Sequence, residues 1–113
     1  MNKELTKIEK VFLDSIVKND VAFIKILLTM SIDINGEPFA PLHRAVMTDR
    51  HEIVKILIKA GADVNMKLGN IGWTPLHWAI FMESHESAIQ LLLADADFDI
   101  EDRRGKKPFD CVK

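Results

Sequence analysis

One hexapeptide pattern occurs twice in this chain: Ala40-Pro41-Leu42-His43-Arg44-Ala45 returns as Thr74-Pro75-Leu76-His77-Trp78-Ala79. A period of about 33 residues restricts the fold to stacked copies of one small unit. A single unit cannot bury its own apolar face, so each copy has to be covered by its neighbours. A decayed third copy, Lys107-Pro108-Phe109-Asp110, follows one period after the second and keeps the proline and a large apolar residue. A second marker keeps step, because Ile32-Asp33-Ile34-Asn35, Ala62-Asp63-Val64-Asn65 and Ala96-Asp97-Phe98-Asp99 each close a stretch of helical periodicity. The 113 residues therefore divide into three units and a stub, at about 5–36, 37–65, 66–100 and 101–113, within a single domain.

Inside a unit the signals read helix, turn, helix, loop. Pro41 and Pro75 suit the first helical turn, where a missing N–H costs nothing, and Thr74 is placed to cap. A second helix follows over His51 to Ala60, with Ile53, Val54, Ile56, Leu57 and Ile58 forming a broad apolar face. Gly61 is placed to end it in a left-handed turn. Gly69 and Gly72 then give the following loop the turn residues of an extended finger.

These motifs resemble the ankyrin repeat, whose T-P-L-H-x-A opening and G-A-D-x-N ending are matched by residues 74–79 and 61–65. The resemblance runs from about Val11 to Val112. It implies a mainly α solenoid of antiparallel helix pairs, with hairpin-like fingers projecting from them. It also implies that His43 and His77 bridge each helix opening to neighbouring fingers.

Departures from the pattern carry their own expectations. Ala40 replaces the capping threonine, so Ala40→Thr is expected to stabilise the fold. The finger after Asn35 is shorter than its counterpart after Asn65 and should be stunted. An extra residue near Glu83 and Ser84 predicts a bulge between the helices of the third unit, where Ser84 would cap the next helix. The first unit lacks the histidine motif and reads as an N-terminal cap. Charges from Glu101 to Lys107 should cover the opposite stacking face, and with the initiating methionine these ends suggest a self-contained array.

Several functions are disfavoured. Fifteen basic residues stand against 17 acidic, a formal charge of −2 that gives no bulk attraction to nucleic acid or an anionic membrane. The stretch from Leu68 to Met82 lacks Asp, Glu, Lys and Arg but is too short and too broken to span a bilayer. Cys111, the sole cysteine, forms no intrachain disulfide, which fits a cytoplasmic location. The four histidines lack the spacing of a metal site, and His51 and His85 fall at turns. The acidic run from Asp95 to Asp102 has Ile100 where a calcium loop needs glycine and Lys106 where it needs glutamate, so Asp97 reads as a turn residue. No nucleophile with a base and no phosphate-cradling loop is present, so the chain is read as non-enzymatic, without cofactor, metal or small-molecule substrate.

What remains is binding. The resemblance implies a concave partner surface made of finger tips and first helices. By register these positions include Gly36, Glu37, Phe39, Asn70, Ile71, Trp73, Arg103, Arg104 and Lys106 in the fingers, and Arg44, Met47, Trp78, Phe81 and Met82 on the helices. The middle of this strip is more apolar than the fold demands, which marks an interface, with Arg44, Arg103 and Arg104 at its rim. Trp73, on a finger stem, is expected to be only partly covered. The reading is a monomeric module that binds another protein, acting by occupancy as a stoichiometric inhibitor or immunity-type neutraliser. An adaptor or host-directed effector subunit is the alternative, and a self-associating structural protein is the alternative of another class.

Overall fold

The computed structural model describes residues 4–112. Six helices run in three antiparallel pairs: α1 (Lys7–Val17) with α2 (Val21–Leu27), α3 (Pro41–Met47) with α4 (His51–Lys59), and α5 (Pro75–Phe81) with α6 (His85–Leu93). A 3₁₀ turn, Pro108–Asp110, stands where a seventh helix would begin. First helices pack in one row, α1 on α3 on α5 and then the 3₁₀ turn, and second helices in another, α2 on α4 on α6. Between the rows lies one core, with Phe12, Ile16, Ile24, Val46, Ile53, Leu57, Leu76 and Leu91 fully buried. Among the described residues no helix is long and apolar enough to cross a membrane.

Each pair is joined by a left-handed residue at the same register, Asn19, Asp49 or Glu83, at φ 57°, 55° and 56°. The expected bulge in the third unit is absent. The step from Pro75 to His85 equals that from Pro41 to His51, so the inter-helix turns are alike and the one-residue difference falls in the third finger. Ser84 also departs from expectation, since its hydroxyl caps nothing at φ −84°, ψ 77°, whereas Asp20 at the same register accepts the Phe23 N–H at 3.1 Å.

Thr74 does cap α5, its hydroxyl accepting the His77 N–H at 3.3 Å. Ala40 corrects the simple threonine argument. The shortened finger delivers the chain at φ 38°, ψ 60°, against −82°, 168° at Thr74, so the residue is not in capping geometry. A β-branched threonine fits that left-handed conformation poorly. Helix α1 is a turn longer than α3 and α5 because Thr6 and Glu9 build a reciprocal box, with Glu9 N–H donating to the Thr6 hydroxyl at 3.2 Å and Thr6 N–H to the Glu9 carboxylate at 2.9 Å.

Units are laced together at the finger roots. Asp33, Asp63 and Asp97 each accept the N–H two residues on at 2.9 Å, forming the expected Asx turn. Asn35 accepts the Asp63 N–H at 2.7 Å, and Asn65 accepts the Asp97 N–H at 2.8 Å. Gly61 supplies the left-handed turn at φ 97°. The charged closure of the last stacking face is partial. Asp102 is turned inward, while Ile89, Leu92, Leu93, Phe98, Phe109 and Val112 are exposed. Ile89 and Leu93 stand where α4 carries Lys55 and Lys59.

Candidate protein-binding surface on fingers two and three

Finger two is pinned at its root by one antiparallel bridge, with Leu68 N–H donating to the Trp73 carbonyl at 3.0 Å. Finger three is hydrogen-bonded to it, Arg103 N–H to the Ile71 carbonyl at 2.9 Å. The two meet over Gly72, where an added Cβ would make ordinary contact with the Arg103 stem at 3.6 Å, so it is the φ of +74° that favours glycine there.

Trp73 contradicts the expectation of partial exposure, being only 6% exposed. Its ring stacks on His77 at 6.0 Å and meets Trp78 edge-on at 4.7 Å and Phe81 at 5.2 Å. Its indole N–H donates to Asp102 Oδ2 at 2.8 Å, and the Arg104 guanidinium carbon sits 6.0 Å from its ring centre. Phe39, one register earlier, is likewise core, edge-on to Phe12 at 5.1 Å. An aromatic recurring just before each helix opening is thus a stem-packing residue. The sequence held that signal, since Phe39 and Trp73 occupy the same place in the period.

Asp102 is the residue that sequence reasoning missed. Its Oδ1 accepts the N–H groups of Arg104 and Lys106 at 2.8 and 2.9 Å, and its Oδ2 accepts the Trp73 indole and an Arg104 Nη2 at 3.2 Å. Burial alone would raise its pKa, but the Lys106 N–H, the Trp73 indole and Arg104 outweigh it and hold the carboxyl well below the usual range. The signal available was Asp102-Arg103-Arg104-Gly105, aspartate at the first and glycine at the fourth position of a turn, closed by Gly105 N–H to the Asp102 carbonyl at 3.0 Å.

The motif histidines bridge as the resemblance implies. His77 Nε2–H donates to the Lys106 carbonyl at 2.9 Å, which leaves Nδ1 as acceptor for the Thr74 hydroxyl at 2.8 Å. His43 Nε2–H reaches the Trp73 carbonyl at 3.2 Å. Burial lowers the His43 pKa, opposed by the carbonyls of Trp73 and Met66. His77, Asp102 and Cys111 offer ligand atoms within 4.8 Å of one another. Their donors and acceptors are already committed. The Asp102 carboxylate has its lone pairs on four N–H groups, and His77 has both ring nitrogens engaged, so a cation would have to displace the bonds that hold finger three.

Ile71 projects from finger two between two open cavities. One, of about 400 Å³, is lined by Leu68, Gly69, Asn70, Ile71, Trp73 and Trp78. The other, of about 330 Å³, lies toward finger three, where Ile71, Trp73 and Phe81 face Arg104, Lys106, Asp110, Cys111 and Val112. The structure therefore gathers Asn70, Ile71, Trp73, Trp78, Phe81 and Arg104 at one place, with Arg103 beside them. Arg44, Met47 and Met82 line neither cavity. Arg44 and Met82 are exposed, and Met47 is half-buried one register back from Phe81.

A family model for ankyrin repeats, three copies long, matches residues 13–103. The chain belongs to the ankyrin-repeat family. Ankyrin repeats are generally protein–protein interaction modules and typically not enzymes. This ankyrin-repeat chain is similar to an ankyrin repeat protein of Acanthamoeba polyphaga mimivirus, 35% identical over 57 residues. That stretch is 50% of this chain and 16% of the viral protein.

Proposed function

We propose that this ankyrin-repeat chain is a non-catalytic module that binds one partner protein through fingers two and three and the adjoining end of α5. The observation that carries the reading is Ile71, an isoleucine 46% exposed at the tip of a finger whose stem is locked by Trp73 and Asp102. The fold gains little from an apolar side chain there. Around it Trp78 and Phe81 are half-buried, and Arg103 and Arg104 supply a polar rim, the composition of an interface core and its edge; Met82 is exposed at the end of the same helix. A rigid stem also reduces the ordering cost of association. The mode of action is occupancy, as an inhibitor or neutraliser acts, in a cytoplasmic setting that suits the unpaired Cys111.

Affinity capture of the tagged chain beside an Ile71→Glu/Met82→Glu variant tests this. Both positions are exposed, so the variant should melt with the wild type; a protein held by the wild type and lost by the variant is expected. Retention of the same proteins by both forms, or no retained protein, would refute the assignment. Self-association is a second reading, favoured by the exposed apolar residues Ile89, Leu92 and Leu93 of α6. Light scattering separates it, because a dimer dispersed by Leu93→Lys would support a contact through the outer side of α6.

A further inference from the structure

The chain as a whole is formally negative, yet residues 101–107 hold four cations, Arg103, Arg104, Lys106 and Lys107. Of the neighbouring carboxylates, Glu101 is exposed and forms no ion pair among the described residues, while the others are engaged. Asp102 is buried and bonded internally, Asp99 pairs with Lys107 at 3.4 Å, and Asp110 accepts the Lys107 N–H at 3.0 Å. Among the described residues Arg103 and Lys106 form no ion pair, and neither does Lys67, whose stem comes within 3.9 Å of the Cβ position of Gly72, as the Arg103 stem does at 3.6 Å. Lys67 and Arg103 thus converge over Gly72 on one side of finger two, and Lys106 lines the cavity of about 330 Å³ that opens beside Ile71.

Resting on the protein-binding role above, we propose that this groove takes an acidic segment of the partner carrying one large apolar side chain. The apolar side chain enters between Ile71, Phe81 and Val112, over a Trp73 ring already fixed by Asp102. Carboxylates beside it meet Lys106 at the cavity wall and Lys67 and Arg103 together over Gly72. Exposed ion pairs of this kind add little affinity individually, but they orient the encounter and select sign, while the buried anchor supplies most of the affinity. A nucleic acid fits less well, because three rim cations release few counterions.

Panning a random dodecapeptide library against the full chain tests the proposal, with oligo-dT as a parallel probe. Enriched peptides should be net negative with one large apolar residue. A synthetic representative should lose about tenfold or more in affinity on Arg103→Glu/Lys106→Glu, and weaken with added salt. Neutral or basic peptides that are lost on Ile71→Glu would overturn the acidic segment while leaving the protein-binding face intact. Peptides indifferent to both variants would overturn the two together. No enrichment, or tighter binding of oligo-dT than of any peptide, would overturn the proposal.

Discussion

Asp102 is worth more to this molecule than any other single carboxylate, because four donors converge on it and one of them fixes the orientation of Trp73. Asp102→Ala should cost about 2 to 3 kcal/mol, since buried N–H groups are left unpaired. In a melting experiment that is a fall on the order of 10 °C. The pH response has two parts. His43 has its pKa lowered by burial, so the folded state resists its protonation; its contribution is complete above about pH 6.5 and is lost as pH falls below that value. Asp102, also depressed, contributes above about pH 4 and is lost only in stronger acid. Melting temperature should therefore decline from about pH 7.5 to about pH 5.5 in the wild type and less in His43→Gln; equal declines would contradict the assignment. At this scale the histidines were legible because their motif repeats. Trp73 was misjudged as partly exposed because its apolar character suited an interface as well as a core, and only its shared register with Phe39 separates the two.

Helix positions followed directly from periodicity and proline placement, whereas the joints between elements did not. The left-handed residue between paired helices is Asn19 or Asp49 in two units, types that tolerate this region, but Glu83 in the third. Because Glu83 is exposed, Glu83→Gly should relieve strain at no loss of contact and raise stability by roughly 0.5 to 1 kcal/mol, measured by denaturant midpoint. Ala40 gives the opposite lesson. Its replacement of threonine was visible in the sequence, but its left-handed φ of 38° results from the shortened finger and was not. Ala40 already bears the left-handed cost, so the β-branched bulk that Ala40→Thr adds at this buried position should lower stability by about 1 kcal/mol in urea titration. Ser84, a good capping type in the abstract, fails to cap, so residue type at a helix start did not decide geometry.

Across the whole molecule the repeat period dictated the order of helices and the single core, and it located finger two as the longest projection. It did not reveal which surfaces stay open. The outer side of α6 keeps Leu93 76% exposed where α4 has a lysine, so Leu93→Lys should change stability by less than about 0.5 kcal/mol while reducing light scattering at high concentration. The proposed binding surface was read from register positions alone, and the part of it we retain is where a locked aromatic stem supports an exposed apolar tip. Amide hydrogen exchange on the chain bound to its captured partner tests that claim most directly. Added protection is predicted at residues 70–73, 81–82 and 103–106, with α2, α4 and α6 unchanged. Protection confined to α4 and α6, with the fingers exchanging as in the free chain, would contradict it.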